Sequence, residues 1–358
     1  MFFIFFIFYN IFYSIFKIYS FKYLFLYIII IVIILNMNIL ITGSLSHLGT
    51  NFINLYSNKF KQLILIDKIS YCSNNTNDII NNNNNIISIY GDINNLDIDF
   101  ILNYYKIDIV LHCAASTHVD RSYTNFNEFI DNNIKATIKL LDAIKLYTQL
   151  KKFIHISTDE VYGGNNDKIV SEDDNFNPTN PYAGSKAAIE NIINSYIYTY
   201  KLPIIIIRPN NIFGKYQYKE KAIPKFIYLL LNNKPVTIHG DGNHIRDYLF
   251  VEDLCDAIYF IIKNIDFDFK NHIFNIGVDN PININELVYF IYKYLKIKKL
   301  TNLEKNNYFI YTNNRPHNDE RYQLNCTKIN NHGFFIKNDW KKNIMNTINW
   351  YITKYTYK

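Results

Sequence analysis

Cysteine is scarce. Cys72, Cys113, Cys255 and Cys326 are scattered through 358 residues with no CxxC pair. That spacing fits neither a zinc site nor a disulfide framework, so no metal is expected and a reducing compartment, the cytoplasm, is the default. Charge is thin as well: 19% of residues are charged and the formal net charge is +6. The basic excess is not gathered into a stripe, which leaves nucleic-acid binding without support. No internal repeat is present. What is abundant is Asn, Ile, Lys and the aromatics, with 31 Tyr and 27 Phe. A bias this broad weakens the meaning of any single Tyr or Asn, and weight falls on ordered combinations.

Long apolar runs are confined to the first 36 residues. Phe2 to Phe16 is almost wholly apolar, and Tyr23 to Leu35 is unbroken after Lys17 and Lys22. About 20 apolar residues span a bilayer, and no small-residue cleavage pattern is present. Two readings stand: a signal anchor, or an upstream extension ahead of a start at Met37. Membrane contact is expected only if residues 1–36 are retained.

From Met37 onward short apolar runs alternate with longer amphipathic stretches, the pattern of βαβ units around a parallel sheet. Strands are expected at 38–42, 62–66, 86–90, 108–112, 152–157, 203–208 and 272–276, and helices at 48–57, 125–148 and 181–200. The tract Asn81–Asn85 reads as a low-complexity surface loop. After about residue 210 the alternation loosens and turn signals such as Gly240-Asp241-Gly242 appear. The expected class is α/β, a Rossmann-type doubly wound sheet over 37–209. A smaller substrate-binding lobe over 210–351 would cover its carboxyl ends, with some segments returning to the sheet.

Thr42-Gly43-Ser44-Leu45-Ser46-His47-Leu48-Gly49 lies between an expected strand and an expected helix. There, glycines permit a tight turn and let backbone N–H groups reach a pyrophosphate at a helix N-terminus. Asp67 stands 18 residues past Gly49, at the end of the next strand. A carboxylate there accepts from a ribose diol and repels a 2′-phosphate, so NAD is favoured over NADP. Gly91-Asp92-Ile93 adds a polar group near an adenine position. Read alone, each of these is also an ordinary turn.

Tyr182-Ala183-Gly184-Ser185-Lys186 opens a helix after Pro178-Thr179-Asn180-Pro181 and puts Tyr182 and Lys186 on one face, i and i+4. A neighbouring ammonium stabilises phenolate and is expected to lower the tyrosine toward a usable base. Thr158, Asp159 and Glu160 follow the apolar strand 152–156. Adjacent carboxylates in a cleft repel, so one can hold a proton near neutrality. That supplies an acid and a base at one place; the bland alternative is a solvated acidic loop.

Taken together, these segments resemble the extended short-chain dehydrogenase/reductase family, most closely its sugar-nucleotide 4,6-dehydratases, which act on dTDP- or UDP-glucose. The resemblance runs from about Met37 to Tyr351. It includes Asp67 to Asn74, His112 to Ser122, Ser157 to Gly163, Pro178 to Lys186, Arg208-Pro209-Asn210-Asn211, Gln217 to Lys221, Gly240 to Gly242, Arg246-Asp247-Tyr248, Asn275-Ile276-Gly277 and Arg315 to Tyr322. It implies a resident NAD and a redox-neutral dehydration to a 4-keto-6-deoxy sugar nucleotide. Tyr182 with Lys186 would serve the oxidation at C4, Thr158 would bond the same oxygen, Glu160 would remove the C5 proton, and Asp159 would protonate the leaving 6-hydroxyl. Cofactor contacts would fall on Gly43, Ser46, Gly49, Asp67, Lys68, Asp92, Ile93, Ala115, Thr117, Tyr182 and Lys186. Substrate contacts would fall on Asn211, Lys221, Arg246, Asn275, Arg315 and Tyr322, with the base near Ile238 and His239. Arginine suits a diphosphate through its planar fork. A homodimer is implied through helices 125–148 and 181–200, where Ile189, Ile192, Ile193 and Tyr196 exceed what one sheet face should cover.

Departures from the family pattern are Ser46 for the middle glycine, Cys113 for Phe, Ser116 for Glu or Gln and Lys215 for Pro. Ser46 matters most, because its Cβ stands where a pyrophosphate would pass. The rival readings are a 4-epimerase or a decarboxylase of the same family, neither of which needs the Asp159–Glu160 pair for elimination, and a non-catalytic NAD-binding scaffold.

Overall fold

The computed structural model describes residues 36–79, 84–164, 168–313, 319–337 and 339–356. The apolar block up to residue 35, Asn81 to Asn83 and Arg315 therefore lie outside the described residues. Among the described residues no helix is long and apolar enough to cross a membrane.

The short apolar runs become β1 (Asn38–Thr42), β2 (Gln62–Asp67), β3 (Ile86–Tyr90), β4 (Ile109–His112), β5 (Lys152–Ile156) and β6 (Ile204–Pro209). They are followed by β7 (Asn211–Phe213), β8 (Val236–His239), β9 (Ile245–Phe250), β10 (Ile273–Ile276), β11 (Pro281–Asn283) and β12 (Phe309–Thr312). Seven of them form one sheet in the order β10-β6-β5-β4-β1-β2-β3, every pair parallel. Ile39 to Ile41 and Ile204 to Ile207 are completely buried. A strand buried on both faces can be apolar at every position, because helices cover both sides of a parallel sheet. The architecture is Rossmann-type and doubly wound.

Chain order reverses at β1: β2 and β3 lie to one side, β4 and β5 to the other. Such a reversal opens a crevice at the carboxyl ends of the central strands. Thr42 is paired with Ile66 and with His112, and His112 with His155, so the ends of β2, β1, β4 and β5 stand level. The residues just past those strand ends therefore meet in one place.

The remaining strands form two small sheets, β11-β9-β7 and β12-β8. Helices Ala222–Leu231, Ile284–Ile297 and Trp340–Thr356 pack with them around a separate core that includes Phe213, Ile227, Leu230, Ile291, Ile344 and Tyr351. β10 leaves this region and closes the large sheet beside β6.

Helix Pro181–Tyr200 starts where the sequence signals it. Asn180 caps it by accepting from the Ala183 amide, proline occupies the first turn, and Lys201 ends it in the left-handed conformation. Its stripe Ile189, Ile193, Ile197 is fully buried in this chain's own core. That corrects part of the expected surplus of apolar surface: Ile189 and Ile193 are already covered, and Ile192 and Tyr196 are half-buried. The helix expected over 125–148 is also not one regular element. Between Phe126–Phe129 and Ala136–Leu146 it widens into a π-helical turn at Ile130–Lys135. That turn presents Asn133, which is 1% exposed, inward to the Ser116 backbone and the Ser185 hydroxyl.

Candidate functional site

The cofactor half of the crevice begins at the β1 turn. Gly43 has φ +65°, and a Cβ there would lie 2.7 Å from the Ala114 backbone, so this position admits only glycine. Gly49 is closed off in the same way, its Cβ position being 2.4 Å from the Gly43 carbonyl oxygen. Ser46 is different. Its φ is −70°, and its hydroxyl caps helix His47–Tyr56 by accepting from the Gly49 amide at 3.1 Å. The extra Cβ thus brings no backbone strain, and the side chain holds one of the free amides of the first turn.

Asp67 ends β2 with its carboxylate already organised. Oδ2 accepts from the Leu45 amide at 2.9 Å, and Oδ1 accepts from the Ile69 amide and the Ser73 hydroxyl. Beyond it Lys68 donates to Asn132 and pairs with Asp92 at 3.6 Å. Gly43, Ser46, Asp67, Lys68, Asp92, Ile93, Ala115 and Thr117 all line one open cleft. Gly49 lies inside the turn, not on the cleft wall. A helix N-terminus and, beside it, a fixed acceptor carboxylate fit the pyrophosphate and ribose of a dinucleotide.

The side chains of the other half of the crevice are buried. Thr158, Asp159 and Glu160 leave the end of β5 in a short 3₁₀ turn, with the Thr158 hydroxyl accepting from the Glu160 amide. Asp159 accepts from Asn210 at 2.9 Å and from Thr158 at 3.2 Å. Glu160 accepts from Asn180 at 2.9 Å. Burial pushes Asp159 up to about 7, with the Glu160 charge adding to the rise and the Asn210 bond opposing it. Burial likewise raises Glu160, against the Asn180 bond and the charges of Arg246 and Lys221. Mutual repulsion, from which a held proton is expected, is thus the smaller cause at Asp159, and desolvation the larger.

Tyr182 and Lys186 share the inner face of helix Pro181–Tyr200 and are 6% and 2% exposed. The expectation that Lys186 lowers the Tyr182 phenol is not met in this arrangement. Lys186 donates to the Ile156 carbonyl at 2.7 Å and contacts His155 Nε2 at 3.3 Å. Tyr182 is held well above the usual phenol range by burial first and the Glu160 charge second, with a Thr158 hydrogen bond pulling the other way. Lys186 itself is brought down to about 8 by burial, partly offset by the Glu190 carboxylate.

The residues expected at the substrate divide. Lys221 and Arg246 act on Glu160 by charge, and Arg246 stands 5.1 Å over the Tyr322 ring. Tyr322 is buried, feels the Glu160 charge and donates to Asp319. One expectation needs correction. Asn275 is fully buried: it accepts from Tyr162 at 2.8 Å and donates to the Val170 and Asn325 carbonyls, so its side chain is committed inside the protein. Asn211 lies in β7 alongside Tyr248, and it is the preceding residue, Asn210, that reaches Asp159. Asn180 and Asn210 were both missed as site residues; the helix-capping pattern was the one signal that pointed at Asn180.

Residues 39–277 match the NAD dependent epimerase/dehydratase family. The chain belongs to that family. A dTDP-D-glucose 4,6-dehydratase of Homo sapiens is 38% identical over 319 residues, covering 87% of this chain and 89% of the relative. A trifunctional UDP-glucose 4,6-dehydratase/UDP-4-keto-6-deoxy-D-glucose 3,5-epimerase/UDP-4-keto-L-rhamnose-reductase of Arabidopsis thaliana is 36% identical over 323 residues. That match covers 88% of this chain but 47% of the relative, so the chain spans about half the length of that protein. Among solved structures, the dTDP-glucose 4,6-dehydratase from Bacillus anthracis in complex with NAD superposes with a TM-score of 0.78 at 28% identity, over 89% of this chain and 97% of that one. Family membership and the cleft geometry agree on a bound NAD.

Proposed function

We propose that this member of the epimerase/dehydratase family dehydrates a nucleotide-diphosphate glucose, dTDP- or UDP-linked, to the 4-keto-6-deoxy sugar nucleotide. The observation that carries the reading is the buried Asp159–Glu160 pair beside Tyr182 and Lys186. A 4-epimerase needs the phenol and the amine and has no use for two desolvated carboxylates. An elimination needs one group to take a proton and one to give it.

NAD, when bound, supplies an acceptor for the C4 hydride, a donor that returns it at C6 and, in its oxidised form, a positive charge. Gly43, Ser46, Asp67, Lys68, Asp92, Ile93, Ala115 and Thr117 would hold it. Tyr182 takes the 4-hydroxyl proton, with Thr158 bonded to the same oxygen and Lys186 one helical turn away as the protein's cation. Burial keeps the phenol protonated without added positive charge, so Tyr182 becomes a base only in the loaded site. The 4-ketone acidifies C5–H; Glu160 removes that proton and gives one back to C5 when C6 is reduced. Asp159, protonated below about pH 7, gives its proton to the 6-hydroxyl, which leaves as water. Lys221, Arg246 and Tyr322 line the side where the diphosphate and sugar enter.

Incubation with dTDP-glucose and with UDP-glucose should develop the alkaline chromophore of a 4-keto sugar with at least one of them. An epimerised sugar without that chromophore would overturn the reading. We further propose that the catalytic body works in the cytoplasm as a homodimer. Leu146, Tyr198 and Tyr200, all still exposed by 48% or more, are apolar surface available to a second copy. Sedimentation showing only monomer at micromolar concentration would count against the dimer.

A further inference from the structure

Three segments carry the chemistry proposed above: the turn after β5 with Thr158 to Glu160, the helix Pro181–Tyr200 with Tyr182 and Lys186, and the end of β6, where Asn210 meets Asp159. One buried ion pair touches all three. Arg208, on β6 and 2% exposed, donates through Nε and Nη2 to Glu190, which lies two turns down the helix from Tyr182 and is fully buried. The Ser157 hydroxyl donates to the same Glu190 carboxylate. Arg208 Nη1 donates to the Tyr162 hydroxyl at 2.6 Å and to the Glu172 carbonyl at 3.1 Å, and Tyr162 donates onward to Asn275 at 2.8 Å. The rings of Tyr162 and Phe176 pack against the guanidinium at 4.8 and 4.9 Å.

Ser157 and Tyr162 are the residues on either side of the Thr158–Val161 turn. The ion pair therefore grips that turn at both ends and ties it to the helix. Stability alone does not account for it, since a buried pair costs about as much desolvation as its attraction returns, and an apolar pair of the same volume holds a core as well. What an apolar pair lacks is direction: a planar fork with every arm used fixes angles as well as distances.

Resting on the dehydratase reading, we infer that Arg208, Glu190, Ser157 and Tyr162 are positioning residues that set the elimination carboxylates, Asp159 and Glu160, in register with the oxidation pair, Tyr182 and Lys186. None of the four takes part in proton or hydride transfer. Each acts through the turn or the helix it holds.

The test uses Ser157→Ala and Tyr162→Phe in the full-length NAD-loaded enzyme, each of which removes one hydroxyl and leaves the ion pair in place. Oxidation draws on Tyr182 and Lys186, whose helix keeps its Arg208–Glu190 pair in both variants, and on the turn only through Thr158, so enzyme-bound NADH formation should lose far less rate than elimination. Elimination should slow on the order of 10- to 100-fold, the cost of a misplacement of about an ångström, with KM for the sugar nucleotide held within about twofold. Bound NADH should therefore accumulate. Ser157→Thr restores the hydroxyl and should restore elimination. Glu190→Gln, which also withdraws the charge beside Lys186, should slow oxidation as well. A purely structural role predicts lower thermal stability with an unchanged ratio of NADH to product, and that result in Ser157→Ala and Tyr162→Phe would overturn the inference. Wild-type enzyme that makes no 4-keto sugar from either nucleotide sugar would overturn the dehydratase reading itself, and this inference with it.

Discussion

In the cofactor half of the crevice, the outer charged side chains keep their solvent: Lys68 and Asp92 pair at 3.6 Å with side chains 40% and 32% exposed, while Asp67 behind them is 8% exposed. In the reaction half, Asp159, Lys186 and Glu190 are 1%, 2% and 0% exposed. The first arrangement suits recognition, where acceptors and amides wait for a polar ligand that brings its own hydrogen bonds. The second suits proton transfer, because desolvation moves Asp159 and Lys186 toward neutrality from opposite directions, to about 7 and about 8. One crevice thus holds a wet binding surface and a dry reaction chamber, and substitutions in the two should fail differently.

The largest contrast is expected in the dry half. Asp159→Asn or Glu160→Gln should slow elimination by about 10²–10⁴-fold, the usual cost of one general acid or base. Oxidation at C4 should survive, so bound NADH should accumulate at its near-ultraviolet absorbance. Tyr182→Phe should instead stop the reaction before any NADH forms. Equal loss of the NADH signal in all three variants would erase the division between the two pairs.

The pH dependence of Asp159 sharpens the same contrast. Its folded-state value, about 7, lies above the ordinary 3.8, so between those values the folded chain binds the proton more tightly than the unfolded one. This group's contribution to stability is therefore greatest in acid and is lost as pH rises toward 7. Asp159→Asn should raise the thermal midpoint over wild type at pH 8, and the gain should vanish near pH 4. Activity should fall as pH rises through about 7 when elimination limits turnover, since the acid form is the one that donates.

In the wet half effects should be milder and confined to binding. Asp67→Asn should weaken NAD on the order of 10-fold, the worth of hydrogen bonds to a charged acceptor, with the NADH-to-product ratio unchanged; titration of cofactor fluorescence reads it. The smallest change is expected from Ser46→Gly. Replacing a serine cap by glycine costs only a few tenths of a kcal/mol, and NAD affinity should stay level or tighten slightly. Clearly weaker binding would recast the Ser46 hydroxyl as a phosphate donor. A chain beginning at Met37 should also match wild type in solubility and activity, because β1 starts at Asn38; loss of folding would give residues 1–36 structural work.

The strands were legible because a parallel sheet buried on both faces leaves unbroken apolar runs between turns. All seven expected strands appear within a residue or two of their positions, six from the first half of the sheet's chain order and β10 from far downstream. The cofactor wall was legible for a related reason: glycine at a positive φ and an acid at a strand end are local requirements. The failures share a different character. Asn210 carries no local mark of its reach to Asp159, because that contact joins residues 51 apart in the chain. Asn275 looked like a surface contact until the fold enclosed it. The π-helical turn that aims Asn133 inward leaves no periodic mark over six residues.

Sequence by itself determined the apolar strands, the glycine turn between β1 and its helix, and the pairing of Asp159 with Glu160 and of Tyr182 with Lys186 on one helix face, because each follows from neighbours a few residues apart. Only the tertiary structure decided how those groups titrate and who holds them. Asp159 is raised mainly by burial, Lys186 turns to Ile156 and His155, and Glu190 meets Arg208 and Ser157 across 18 and 33 residues. Desolvation and long-range hydrogen bonds depend on what the chain packs around a group, and no local pattern of residues carries that information.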